Sequence, residues 1–275
     1  MSLSPKLLRG VRLLAAMLTA APLTPAAALA QATPSSSTAM PFPSDSAVLA
    51  LLKQRVAEKR SAGVVVGLLE PDGRTRVVAW GDPGPGQPPL DANSVFEIGS
   101  ITKVFTGTLL AEMARSGELA LDDPVAKYLP EGVRVPARDG KEITLLSLSE
   151  QNSGLPSVPS NLHPADAANP YAGYTVQQMY DFLSGYTLPG DPGERYEYSN
   201  LGVGLLGHAL ALRAGKPYEA LVRARILAPL GMTHTAINFT PWMKQHLALG
   251  HDPAGAVVPG WDLPAFAGAG ALRST

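Results

Sequence analysis

Ser100-Ile101-Thr102-Lys103 sets a hydroxyl and an amine three positions apart, where a strand-like pattern gives way to a helical one. Positions i and i+3 of a helix share a face, so the Lys103 amine rises beside the Ser100 hydroxyl. A serine hydroxyl is a poor nucleophile until a neighbouring base takes its proton. A lysine serves as that base when burial or a nearby cation lowers its pKa. The helix start adds a positive partial charge and free backbone N–H groups, which suit a developing oxyanion. Alone, S-x-x-K is a weak signal, because serines cap helices and lysines decorate surfaces.

A second group, Tyr198-Ser199-Asn200, stands just before another helical stretch. A tyrosinate held near a lysinium can pass protons to a leaving group, and an asparagine amide can orient a substrate amide. The plainer alternative is a packed tyrosine with Asn200 as a helix N-cap, and Asn200 can fill both roles.

The chain that must position these residues has 275 residues, 45% hydrophobic and 16% charged, enough to bury a sizeable core and to exclude wholesale disorder. It has no cysteine, which excludes disulfides, thiolate metal sites and a cysteine nucleophile. A net charge of −1 gives no basic footprint for nucleic acid. Residues 1–30 carry Lys6, Arg9 and Arg12, then an apolar stretch from Leu13, then Ala28-Leu29-Ala30. That pattern predicts a secretory signal peptide cut near Ala30, hence export, with the periplasm as the destination. Pro22 and Pro25 interrupt the stretch, which is short for a membrane span, so no stable span is expected. Residues 31–43 read as a Ser/Thr/Ala/Pro tether, and 44–275 as the functional domain.

Within that domain, Ser44 to Gly63 predicts an amphipathic helix capped by Asp45 or Ser46, with Leu49, Leu52 and Val56 on one side. Val64–Leu69 and Thr75–Trp80, joined by Pro71-Asp72-Gly73, predict a hairpin, and Val95–Ile98 a short third strand. A helix follows from about Ile101 toward Gly117, and an all-α region is expected over about 111–240. It includes a capping box at Thr175–Gln178 and helices over Leu201–Ala214 and Tyr218–Leu227. The fold class expected is α/β of the α+β kind: an antiparallel sheet flanked by helices, with an all-α region.

Val95-Phe96-Glu97-Ile98-Gly99-Ser100-Ile101-Thr102-Lys103-Val104-Phe105-Thr106 resembles the nucleophile segment of the serine β-lactamase and penicillin-binding protein superfamily. The resemblance is to the branch of the class C β-lactamases with the related D-Ala-D-Ala carboxypeptidases and esterases. It extends through Gly117-Glu118-Leu119, Leu121-Asp122-Asp123-Pro124, Tyr128-Leu129-Pro130 and Asn152-Ser153-Gly154-Leu155-Pro156. The block Pro192–Gly202 supplies a Tyr-x-Asn, and Gly268–Thr275 resembles a later Gly-rich segment. The resemblance implies a β-lactamase/DD-peptidase-like fold and an acyl-enzyme mechanism. Ser100 would attack a carbonyl, Lys103 and Tyr198 would manage protons, Asn200 would position the substrate, and no metal or cofactor would be needed. Small-molecule β-lactams or peptidoglycan peptides would be the substrates.

One departure stands out. The family's third motif, Lys-Thr-Gly or His-x-Gly on a later strand, has no counterpart here, since His234-Thr235-Ala236 lacks the glycine and lies too early. That strand would line the pocket and supply one of two oxyanion donors, whose loss costs roughly 10²–10³ in rate. The expectation is an incomplete chain lacking its C-terminal strands, a fragment of a longer gene product, with the activity of the 275-residue form left open. A ligand-binding or sensor protein without turnover is the reading from a different class.

Other signals are discounted. Gly202-Val203-Gly204-Leu205-Leu206-Gly207 matches G-x-G-x-x-G but sits in a helical stretch, so helix packing is expected there, not dinucleotide binding. His163, His208, His234, His246 and His251 show no metal-ligand spacing. Asp122-Asp123-Pro124 reads as a turn and helix start.

Overall fold

The computed structural model describes residues 42–275. The leader expected over 1–30, and the tether as far as residue 41, lie outside the described residues. Helix α1 (Asp45–Ala57) is capped by Ser44, whose Oγ accepts from the Ala47 N–H at 3.3 Å. The cap therefore falls one position before Asp45, because Ser44 is the last extended residue and the Asp45 carboxylate is turned onto Arg76. The helix ends at Ala57, short of Gly63, because Lys59 adopts a left-handed φ of 56° and breaks the repeat. Gly63 instead opens strand β1 (Gly63–Leu69), which pairs antiparallel with β2 (Thr75–Gly81) from Gly63↔Gly81 to Leu69↔Thr75. Val48 and Leu52 of α1 bury against Val78 of β2, with Leu49, Val64, Val66 and Leu68 around them. Each such side chain, fully buried, contributes about 1.5–3 kcal/mol.

Strand β3 (Phe96–Glu97) leaves this hairpin unextended and leads through a 3₁₀ turn, Gly99–Ile101, into helix α2 (Thr102–Arg115). After α2, the Asp122-Asp123-Pro124 turn opens the 3₁₀ segment Val125–Tyr128. Asp123 accepts there from Lys127 Nζ at 2.8 Å, from the Tyr128 hydroxyl and from the Ala120 N–H at 2.7 Å. A short hairpin follows, β4 (Ala137–Arg138) with β5 (Lys141–Glu142), then α3 (Leu145–Ser149). Helix α4 (Val176–Gly185) carries the expected capping box, with Thr175 and Gln178 exchanging side-chain-to-backbone bonds. Helix α5 (Asn200–Ala214) and α6 (Tyr218–Val222) come next, and α6 continues as a π turn, Arg223–Leu227. The last stretch holds α7 (Pro241–Gln245), β6 (Gly250–His251), β7 (Val257–Val258), α8 (Ala267–Gly270) and β8 (Arg273–Ser274).

β8 returns to pair with β3, Phe96 opposite Ser274 and Glu97 opposite Arg273, which brings the end of the chain beside the Ser100 turn. The described residues thus form an α+β fold of helices and small antiparallel sheets. The main core runs from Leu109, Leu110 and Met113 of α2 through α3–α6 to Phe266 and Leu272. Helix α5 is its axis, apolar all round, with Leu201, Leu205, Leu206 and Leu210 fully enclosed.

The glycines of α5 pack helices, as their helical context predicts. A Cβ on Gly207 would lie 2.9 Å from the Gly268 Cα, and one on Gly204 would lie 2.6 Å from Phe266 Cδ1. Gly207→Ala is therefore expected to cost about 1–3 kcal/mol in chemical denaturation, because backbone must move to admit the methyl. Gly67→Ala on β1, with nothing within 4 Å of the new Cβ, is expected to stay within about 0.5 kcal/mol of the parent.

Candidate active site

The 3₁₀ turn presents Ser100 at the exposed mouth of α2, and the first turn of that helix carries Lys103 alongside it. Lys103 Nζ donates to Ser100 Oγ at 3.1 Å, as the i, i+3 spacing requires. Its other contacts come from far along the chain: Asn200 Oδ1 at 2.8 Å and the Ala269 carbonyl at 2.8 Å. An ammonium has three N–H bonds, and here each has an acceptor. Tyr198, 40% exposed, donates its hydroxyl to Ser100 Oγ at 2.6 Å, with Lys103 Nζ 4.7 Å from its ring centroid. The four residues singled out from the sequence, Ser100, Lys103, Tyr198 and Asn200, thus meet in one cluster.

Asn200 is not the helix cap. Ser199 takes that role, its Oγ accepting from the Gly202 N–H at 2.8 Å while donating to the Pro156 carbonyl at 2.6 Å. Ser199 is the residue left in extended conformation, whereas Asn200 is already helical, so its side chain is free to reach Lys103.

Two effects oppose each other at Tyr198. Partial burial raises its phenol, but the close Lys103 cation and the hydrogen bond with Ser100 together outweigh it. The phenol is held below its ordinary value of 10.

Sequence reasoning missed the groups that hold this cluster in place. Thr102 and Thr106, four apart on α2, hook the segment that runs from α8 to β8. Thr102 Oγ1 accepts from the Leu272 N–H at 3.1 Å, and Thr106 Oγ1 donates to the Gly268 carbonyl at 2.7 Å. Their i, i+4 spacing and the Gly-Ala-Gly-Ala run were the available signals, for small residues permit close backbone approach. Ser100 and Asn200 face a small cavity of about 110 Å³, walled by Tyr171, Trp261 and the 269–273 segment. Arg273, only 4% exposed, braces that wall through Glu97 Oε1 at 3.0 Å and the Trp261 carbonyl at 2.9 Å. A larger cavity of about 820 Å³ opens behind α8 and contains none of the four clustered residues. Among the described residues no group of His, Cys, Asp or Glu could hold a metal ion, and no helix is long and apolar enough to cross a membrane.

A hydroxyl held between an ammonium and an acidified phenol has the parts needed for acyl transfer through serine. Comparison with known proteins gives the class. The Beta-lactamase family model matches residues 48–275, and the chain belongs to that family. It is 37% identical over 187 residues to the D-alanyl-D-alanine-carboxypeptidase/endopeptidase AmpH of Escherichia coli K12, covering 66% of this chain and 47% of that protein. It is 34% identical over 170 residues to a Beta-lactamase of Pseudomonas fluorescens, covering 62% of this chain and 44% of the relative. Among solved structures, the Beta-lactamase/D-alanine carboxypeptidase from Yersinia pestis, complexed with citrate, superposes with a TM-score of 0.71 at 30% identity. That match covers 84% of this chain and 65% of the other. A class C beta lactamase from Rhodobacter sphaeroides superposes with a TM-score of 0.68 at 28% identity, covering 84% and 62%. The chain spans about half the length of the curated relatives it matches.

The electrostatics of Tyr198 can be read directly. A phenolate difference titration of the wild type against Tyr198→Phe is expected to show a transition below pH 10. Lys103→Met removes the positive charge that favours phenolate, so the transition is expected to move upward. An unmoved transition would show that Lys103 does not set it.

Proposed function

We propose that the protein is an exported serine hydrolase that works through an acyl-enzyme on Ser100, with β-lactams as its substrates. The observation that carries this reading is the pair of contacts on Ser100 Oγ, from Tyr198 at 2.6 Å and Lys103 at 3.1 Å. Membership of the Beta-lactamase family supports it. D-Ala-D-Ala-type peptides and esters are the alternative substrates, favoured by the likeness to a carboxypeptidase/endopeptidase.

In the proposed reaction, Lys103 holds Ser100 Oγ, Asn200 Oδ1 and the Ala269 carbonyl together and lends its positive charge to Tyr198. Tyr198, acidified by that charge, first gives up its own proton to solvent, and the phenolate then takes the proton of Ser100 as Oγ attacks the substrate carbonyl carbon. The Ser100 N–H, in the first turn of the 3₁₀ segment, faces the developing oxyanion. With Oδ1 of Asn200 committed to Lys103, its Nδ2 donates to an amide carbonyl of the substrate. The C–N bond then breaks, and the leaving nitrogen collects the proton from Tyr198. Water cleaves the Ser100 ester and returns the site to its starting state. The rate of that last step separates a β-lactamase from a carboxypeptidase on the same acylation chemistry. No metal or cofactor enters the scheme, and small molecules, not nucleic acids, are its partners.

The domain layout proposed with this function is a leader over 1–30, a tether over 31–43 and one hydrolase domain over 44–275. Its region at about 111–240, expected to be all-α, is mainly helical but carries the β4–β5 hairpin, where Gly140 and the left-handed Asp139 turn the chain back. Intact-mass analysis after incubation with a penicillin is expected to show a covalent adduct on the wild type and none on Ser100→Ala. Tyr198→Phe is expected to slow adduct formation by about 10²–10⁴. Absence of both adduct and penicillin consumption in the wild type would overturn the reading in favour of binding without turnover. For export, the mature protein recovered outside the cytoplasm is expected to begin at Gln31, as N-terminal sequencing would show.

A further inference from the structure

Three non-glycine residues among those described have left-handed backbone: Lys59, Asp139 and Gln151. Lys59 and Asp139 sit in exposed turns, but Gln151 is 9% exposed, with a φ of 62°. A buried residue of this kind persists only where its surroundings over-determine it. The surroundings here are the two neighbours of Tyr198. The Gln151 carbonyl accepts from the Glu197 N–H at 2.6 Å, and Gln151 Oε1 accepts from the Ser199 N–H at 2.6 Å. The main chain and the side chain of one residue therefore grip the peptide on both sides of Tyr198. Farther along the same loop, the Asn152 carbonyl takes the Gly193 N–H at 2.7 Å, and the Ser157 carbonyl takes the Asn200 N–H at 3.0 Å.

We propose that Gln151 is a positioning residue for the reaction at Ser100, setting the height and pitch of the Tyr198 phenol over the serine. It touches neither Ser100 nor Lys103 by any hydrogen bond in the structure and would act only through the 197–199 backbone. The left-handed turn is what lets its carbonyl and its amide oxygen point at the same segment. An extended or helical Gln151 would send the two acceptors in different directions. The inference rests on the acyl-enzyme reading above, and its test keeps the two separable.

Gln151→Gly suits the left-handed φ and retains the carbonyl bond to Glu197, while losing the Ser199 bond, so it isolates the side-chain grip from the fold. Gln151→Met, similar in volume but without the acceptor, is the companion variant. For each, the Tm, the Tyr198 phenolate titration and the rate of penicillin adduct formation are measured, in the parent and in Tyr198→Phe. The expected result for Gln151→Gly is a Tm lowered by only a few degrees, a Tyr198 transition moved up toward 10, and acylation slowed by about 10- to 100-fold. That slowing is expected to vanish in Tyr198→Phe, where there is no phenol left to misplace. An unmoved titration with parental acylation would overturn the proposal, as would equal slowing in both backgrounds. If the wild type forms no adduct at all, the acyl-enzyme reading fails, and the titration alone decides whether Gln151 positions Tyr198.

Discussion

The Lys103 ammonium has three N–H bonds to satisfy, and its acceptors come from three separate parts of the chain. Ser100 Oγ lies in the preceding turn, Asn200 Oδ1 at the head of α5, and the Ala269 carbonyl in α8, 166 residues further along. A half-buried cation is tolerated only when it is fully bonded, so each acceptor must arrive on a rigid element. Much of the surrounding architecture can be understood as meeting that condition. Thr102 and Thr106 flank Lys103 on one face of α2 and tie down the segment that carries Ala269. Ser199 caps α5 and thereby releases the Asn200 side chain.

That condition is also a packing condition. The Ala269 carbonyl reaches Lys103 only because α8 lies almost in van der Waals contact with the backbone of α5, at Gly204 and Gly207. Glycine inside a helix costs about 1 kcal/mol against alanine. Here that cost is offset by the burial of Phe266, which stacks on Tyr174 at a centroid distance of 5.0 Å while filling the space over Gly204. The same contact closes the core and sets the depth of the site wall. Stability and site geometry are therefore coupled through one helix face.

Tyr198 illustrates how a balance of opposed effects gives a group its character. Burial and the nearby cation push its phenol in opposite directions, and the cation, helped by the serine, prevails. The outcome depends on the ring's position, which makes the backbone on either side of it consequential. A phenol displaced from the amine would keep its burial and lose its acidifying partners.

Much of the local structure was legible in the amino-acid sequence, because it depends on neighbours. The β1–β2 hairpin, the Thr175–Gln178 capping box and the Ser100–Lys103 pair all follow from spacing within a few residues. So does the helical context that made the α5 glycines a packing surface. The residues Tyr198 and Asn200 were identifiable by type, and only the family resemblance implied that they share a site with Ser100 and Lys103; nothing in local spacing brings them together across about a hundred positions of chain. Caps were misjudged by one residue at Asp45 and Asn200, where several side chains could serve and the backbone conformation chose among them. The Ala269 carbonyl, the two threonine hooks and the Gln151 grip were invisible for a deeper reason. A backbone carbonyl has no residue type to recognise, and a left-handed glutamine contradicts its own local preference. Only tertiary packing decides which main-chain atoms meet, because that choice is made by shape across distant segments and not by the chemistry of any one of them.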